Sequence, residues 1–205
     1  MVRNLENNQG FTLIEILVGL AMTGIVMAAI VSAYQIQVKG KNVLEITTDM
    51  NQTVRAAMEV MESEIRMAGC DPFGSADAEI VTADTAQLQF TMDIGGGTPT
   101  GAPDGETDDV NENITYALDN DTDGDGIADG TPCNLGRDTN TGGGLQTLAQ
   151  NIDGLNFVYF GEDDDEDGSP DVLTGTFDLD DIRMIQATLV ARSGEQVRAF
   201  TGSQT

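Results

Sequence analysis

From Phe11 to Tyr34 the chain reads FTLIEILVGLAMTGIVMAAIVSAY, a nearly unbroken apolar tract. Its length is close to the roughly 20 residues a helix needs to cross a bilayer. Beyond Tyr34 the pattern changes, and Val43, Ile46, Met50, Val54, Met58, Met61 and Ile65 recur every three or four positions. That spacing predicts an amphipathic continuation of the helix over 35–70, whose apolar stripe covers a sheet. Lys39, Lys41, Glu45, Asp49, Arg55, Glu59 and Glu62 are expected on its solvated side. Methionines at helical spacing are read as core rather than as an adaptable partner surface. Gly69 followed by Pro72 marks the expected stop.

Residues 71–205 change period. Leu88, Phe90, Met92 and Ile94 alternate with polar positions, as do Ile114, Tyr116 and Leu118, then Leu155, Phe157 and Tyr159, then Ile185, Ala187, Leu189 and Ala191. Period two in several short runs predicts antiparallel strands. Between them Gly95–Gly105, Asp119–Gly144 and Gly161–Ser169 are rich in Gly, Asp, Asn and Thr and are expected as long surface loops. The fold class expected is α+β: one long N-terminal helix packed on an antiparallel sheet with acidic loops.

One residue breaks the apolar tract. Glu15 is its only charge, and a carboxylate at membrane depth costs about 2.5–3.5 kcal/mol even on lenient insertion scales, so it demands a partner and a purpose. The preceding MVRNLENNQG is short and polar, carries Arg3 and ends in Gly10. A secretory signal would place its cleavage site after the apolar region and has no use for Glu15.

Gly10, Phe11, Thr12, Leu13, Ile14 and Glu15 together resemble the processing site of type IV prepilins. The resemblance implies that residues 1–10 are a leader removed by prepilin peptidase after Gly10. Phe11 would then be the methylated amino terminus, and residues 11–34 the transmembrane and filament-core helix. It also implies that Glu15 pairs with the terminal amine of a neighbouring subunit. Moving both charges together into protein relieves the isolated carboxylate, so the residue that penalises the monomer favours assembly. Many major pilins carry a kinking proline in this helix; here Gly19 and Gly24 occur without one, a departure that bears on how the helix bends.

A looser second resemblance spans most of the chain. Arg66-Met67-Ala68-Gly69, Ile114-Thr115-Tyr116, Asn151 to Phe157 with Tyr159, Ile182-Arg183-Met184-Ile185 and Leu189 to Ser193 are similar to PilW-type minor pilins. It implies a subunit that acts with other minor and major pilins and the assembly platform to initiate a pilus, and that sits at or near its tip. The J-type pseudopilins of type II secretion share the layout. Either resemblance implies a single-pass inner-membrane protein with a periplasmic globular domain, carried to the cell surface if a pilus incorporates it.

Composition narrows the remaining choices. Nine basic against thirty-five acidic side chains give a net charge of −26, a surface that repels nucleic-acid phosphates and anionic head groups. Histidine is absent, which removes Ser-His-Asp and Cys-His catalysis and the usual zinc sites, so no enzyme is expected. Cys70 and Cys133 lack C-x-x-C spacing and belong to a domain expected in an oxidising compartment. A bridge between them would stabilise by roughly 4 kcal/mol through loop closure; two unrelated thiols are the alternative.

The acidic loops carry the one candidate ligand chemistry. Asp121, Asp123, Asp125 and Asp129 occupy positions 1, 3, 5 and 9 of a run with Gly126 at position 6. Calcium loops use that spacing: alternate carboxylates on a tight turn converge, and the carbonyl at position 7, here Ile127, adds an oxygen. The run resembles the loops of thrombospondin type 3 repeats and dockerins, but Pro132 stands at position 12, where a bidentate Glu would complete a helix-loop-helix site. Asp163, Asp165, Asp167 and Asp171, with the Ser169 carbonyl, repeat the pattern. The alternatives are solvated acidic turns, or a calcium-dependent adhesin or binding module on a pilin stem.

Overall fold

The computed structural model describes residues 11–95, 101–130, 133–164 and 166–192. Gly10, Pro132 and Asp165, each invoked above, lie outside the described residues. Among the described residues one helix, α1 (Leu13–Ile65), is followed by seven strands: β1 (Ile80–Ala83), β2 (Leu88–Thr91), β3 (Asn113–Leu118), β4 (Asn134–Asp138), β5 (Gln146–Gln150), β6 (Ile152–Phe160) and β7 (Met184–Ala191). A 3-10 turn, Leu179–Asp181, precedes β7. The contacts divide the chain into two units, one ending at Ile46 and one beginning at Thr47.

In the first unit the described residues are helix from Leu13 onward. Its apolar window is long and hydrophobic enough to cross a membrane and none of it is buried in the chain. The few polar side chains there turn back on the helix: Thr23 Oγ1 donates to the Gly19 carbonyl at 2.8 Å and Ser32 Oγ to that of Ala28 at 2.9 Å. Such internal satisfaction is what a nonpolar solvent requires of a hydroxyl.

In the second unit the end of α1 lies on the sheets. Ala57 and Met61 are buried, with Val54, Ile65 and Ala68 packed beside them. The expected stripe is therefore right at its lower end, whereas Val43 is exposed and Ile46 and Met50 are only half-buried. The helix gives way to a turn at Arg66, and Gly69 takes the left-handed φ of +74° while donating its N–H to the Thr91 carbonyl at 2.9 Å. A side chain at that φ would be strained, which is why glycine stands there.

β1 to β5 form an antiparallel sheet in sequence order, and β6 and β7 form a separate antiparallel pair. The alternating residues Leu88, Phe90, Ile114, Tyr116, Leu118 and Leu135 fill the inner face, and Ile152, Leu155, Phe157 and Tyr159 of β6 close the same core. The four strands foreseen are present as β2, β3, β6 and β7. Three others are not foreseen, and β4 interrupts the stretch Asp119–Gly144 that was expected as one loop. Its sequence, NLGRD, contributes one fully buried side chain, Leu135, too thin a signal for period-two reading.

Candidate functional site

Where α1 begins, Thr12 and Glu15 cap the helix reciprocally. Glu15 Oε2 accepts from the Thr12 N–H and from Thr12 Oγ1, both at 2.9 Å, while the Glu15 N–H donates to Thr12 Oγ1 at 3.3 Å. This is a capping box, T-x-x-E, which satisfies N-terminal backbone donors that otherwise have no partner. The consequence is directional: the carboxylate is folded toward the start of the helix, one residue from Phe11, and both residues are exposed. Glu15 thus has a local role within one chain, and its carboxylate is exposed.

The two acidic runs fold alike. Asp121 accepts from the Gly124 and Gly126 N–H groups, both at 2.9 Å, Asp125 from Ile127 N–H at 2.7 Å and Asp129 from Thr122 N–H at 2.7 Å. In the second run Asp163 accepts from Gly168 N–H at 2.8 Å, Asp167 from Ser169 N–H at 2.8 Å and Asp171 from Asp164 N–H at 2.9 Å. Three of these bonds correspond position by position; the first run adds the Gly124 N–H to Asp121, and the second has Asp167 N–H donating to Asp163 at 3.1 Å. The left-handed residues also correspond, Gly124 and Gly126 in one run, Glu166 and Gly168 in the other. Asn, Asp and Gly readily close such turns by bonding their own backbone.

In the first run a carboxylate oxygen from each of Asp121, Asp123 and Asp129 lies within 4.8 Å of the others. Asp125 is not in that group, and its carboxylate is held by the Ile127 N–H. Ile127 bridges to Gly154, flanked by hydrogen bonds from Ala128 N–H to the Asp153 carbonyl and from Leu155 N–H to the Gly126 carbonyl. Three gathered carboxylates are oxygen donors of the kind a hard cation takes, six to eight at a time with water completing the set. The Asp125 N–H acts to lower the pKa of Asp123, but repulsion from the Asp125 carboxylate, some desolvation, and the charges of Asp129 and Asp121 outweigh it and leave Asp123 above the usual carboxylate range. Asp129 lies below that range because the Thr122 hydroxyl and N–H both donate to it.

Gly126 has a structural duty besides. With φ +80°, a Cβ there would stand 2.3 Å from the Leu155 carbonyl oxygen, so the loop is pressed on β6. Gly168, at φ +90°, meets nothing within 4 Å. The second run is instead tied to the end of β6 through Asp171, whose carbonyl accepts from Gly161 N–H at 2.8 Å, and no described group of its carboxylates gathers as in the first.

The cysteines are not joined. Cys133 is buried beside the first residue of β4 and Cys70 is exposed at the end of the helix turn, both as free thiols. Cys70 accepts from Asp93 N–H just past β2, whereas Cys133 accepts from Ile152 N–H near the Leu118 end of β3. Those positions flank opposite ends of β3, about 17 Å apart along a strand of that length, well beyond the Cα separation of about 7 Å a disulfide tolerates.

Two polar clusters had no signature in the chain. Glu64 of α1 accepts from Arg137 Nε at 3.1 and 3.0 Å and from Nη2 at 2.8 Å, and the Tyr116 hydroxyl donates to it as well. Arg137 and Glu64 are 18% and 21% exposed, so this fork clamps the helix to β3 and β4 largely out of water. Burial first, then the Glu64 carboxylate, pushes the Tyr116 hydroxyl far above its ordinary range, keeping it a donor. Burial alone would lower Arg137, but the Glu64 hydrogen bond and charge reverse that. Asp93 and Glu112, both fully buried, hold the loop between β2 and β3. Glu112 accepts from the N–H groups of Ile94, Gly95 and Asp109, and Asp93 from those of Asp104 and Gly105, all at 2.9–3.2 Å.

No curated protein and no solved structure matches the chain. The prokaryotic N-terminal methylation motif matches residues 6–31, which contain Gly10, Phe11 and Glu15. That match, the apolar helix and the α+β architecture behind it support a type IV pilin-like prepilin.

Proposed function

We propose that this chain is a minor pilin of the PilW type that helps initiate a type IV pilus and remains at or near its tip. Prepilin peptidase cleaves it after Gly10, the amine of Phe11 is methylated, and the globular domain stays periplasmic until the subunit is drawn into the filament. Its action is assembly, not catalysis. The carrying observation is Glu15, a single acid on an exposed apolar helix, turned toward the helix start within the methylation motif. An apolar helix satisfied only by lipid or by other helices leaves the membrane when enough neighbours replace the lipid. A charge pair between Glu15 and a neighbour's amine sets the stagger at which they do so.

The expected result in a strain lacking the protein is loss of surface pili with exoprotein secretion intact, and an epitope-tagged copy co-purifies with sheared pili and other minor pilins. Lost secretion with normal pili would instead favour the J-type pseudopilin, the nearest alternative.

A second reading rests on the grouping of Asp121, Asp123 and Asp129. In it the first acidic loop binds calcium, the second does so through its equivalent residues including Asp165 and the Ser169 carbonyl, and the domain is a calcium-dependent binding module on a pilin stem. Titration calorimetry of the full chain with calcium is expected to show binding with a dissociation constant of about 10⁻⁴–10⁻³ M. Asp123→Ala should remove the heat of the first loop and Asp165→Ala that of the second. At ten times the dissociation constant, one site would add about 1.4 kcal/mol to stability by linkage. Absence of heat at millimolar calcium, with both variants as stable as wild type, would end this reading.

A further inference from the structure

The ribbon of β6 and β7 has an outer face as well as an inner one. Side chains alternate across a strand, and residues opposite one another in an antiparallel pair share a face. Leu155, Phe157 and Tyr159 of β6 and Ile185, Ala187 and Leu189 of β7 pack on the core, so their neighbours line the other side. Paired there are Phe160 with Met184, Val158 with Gln186, Asn156 with Thr188 and Gly154 with Val190. Isolated bridges widen the ribbon at both ends, setting Val172 beside Phe160 and Ile127 beside Gly154. Each end is therefore an apolar row three chain segments wide. Val172, Met184, Ile127 and Val190, which form the flanks of those rows, are 44–62% exposed, and the residues between the rows are uncharged.

The two acidic runs stand at opposite ends of this strip. Leu155 N–H donates to the Gly126 carbonyl of the first run, and Gly161 N–H to the Asp171 carbonyl of the second. From Gly154 to Phe160 the strand covers about 20 Å. The arginines at the two ends already hold acids, Arg192 with Asp153 at 2.7 Å and Arg183 with Glu162 at 3.3 Å, so the excess of carboxylates in the runs stays uncompensated. Asp84 adds an acid at the side, on a groove of about 410 Å³ that it shares with Asn156, Val158 and Val172.

A neutral, largely apolar strip is out of character on a chain of net charge −26, and contiguous apolar surface of this kind marks interaction sites. We propose that the strip docks another protein, one that lays down an uncharged apolar stretch with Lys or Arg at both of its ends, about 20 Å apart. Two to three segments wide, the strip offers a footprint of about 200–300 Å². That is well short of the roughly 800 Å² each partner gives to a stable interface, so apolar burial alone does not hold an occupant. Basic ends meeting the two acidic runs supply the rest. A second copy of this chain does the opposite, because in either orientation its acidic runs fall on these.

The experiment is fluorescence anisotropy of a labelled peptide, KKVTVTVTKK, titrated with the full chain in nonionic detergent micelles. EDTA is present to keep the acidic runs free of calcium, and empty micelles serve as the blank. The six central residues of the peptide span about 20 Å when extended. Saturable binding that weakens with rising salt is expected. Exchanging the lysines for glutamate should lower affinity by about a hundredfold or more, and exchanging the valines for serine by about tenfold or more. On the protein side, Thr188→Arg plants a bulky cation mid-strip and should weaken binding by about tenfold or more, while Thr147→Arg, the same change on exposed β5, should alter it by less than about twofold. Should Thr188→Arg fail to fold, judged by circular dichroism, the peptide series on wild type carries the test. No saturation at about 1 mM peptide or protein overturns the proposal. So does a serine peptide that binds as tightly as the valine one, or equal weakening by both arginine variants, since either means that the acidic surface holds any cation. Dimers of wild type that Thr188→Arg abolishes would assign the strip to a second copy and overturn it equally.

Discussion

Glu15→Ala and Glu15→Gln are both expected to abolish incorporation into filaments while leaving the subunit folded and membrane-inserted. The two substitutions differ in a way the helix start makes useful. Alanine removes both the charge and the capping box, whereas glutamine retains an oxygen for the Thr12 N–H and hydroxyl and so keeps the cap, T-x-x-Q being as competent as T-x-x-E. A cap contributes about 1 kcal/mol to the helix. A charge brought into a helix bundle against a terminal amine is worth more, because leaving either ion unpaired there costs several kcal/mol. If pairing with a neighbour is the purpose of Glu15, glutamine therefore fails as alanine does, by at least about tenfold in the fraction of subunit recovered with sheared filaments. Recovery of the Gln variant at the wild-type level would reduce Glu15 to a helix cap.

The largest loss of stability is expected at Glu64. Its carboxylate takes a forked bond from Arg137 and the hydroxyl hydrogen of Tyr116, so Glu64→Ala strands a cation and a phenol in a site about one-fifth exposed. Removing one partner of a buried pair costs about 3–5 kcal/mol. Partial exposure lets water relieve some of that, leaving about 2–4 kcal/mol here. For a domain of this size the Tm should fall by roughly 5–15 °C. Urea unfolding followed by circular dichroism checks it, and a double cycle with Arg137→Ala should return a coupling of about 1–3 kcal/mol. A loss under about 0.5 kcal/mol would mean the fork adds no grip between helix and sheet.

What could be read in advance follows from how each feature is encoded. An apolar tract and alternating runs such as Leu88, Phe90 and Met92 state their environment in consecutive residues, so the long helix and four strands were legible. β4 and β5 were not, because NLGRD and QTLAQ each bring few side chains to the core and are made strands by their neighbours' ladders. The paired acidic runs announced a repeat, and three of their backbone-to-carboxylate bonds repeat too. Which carboxylates gather did not follow from spacing, since Asp125 bonds the Ile127 N–H and stands outside the group of Asp121, Asp123 and Asp129. Glu64, Tyr116 and Arg137 lie far apart in the chain, and Asp93 and Glu112 look like two more surface acids among thirty-five acidic residues. Only the fold shows that backbone N–H groups line up on them. The capping role of Glu15 was legible in Thr12-Leu13-Ile14-Glu15 but was overshadowed by the membrane tract around it.

Mass spectrometry of the amino terminus of the exported protein puts the central claim to its most direct test. A prepilin-type subunit yields a chain that begins at Phe11 and carries one methyl group on its amine. A mature chain that still contains residues 1–10, or that has lost the whole apolar tract to Tyr34, would contradict the account.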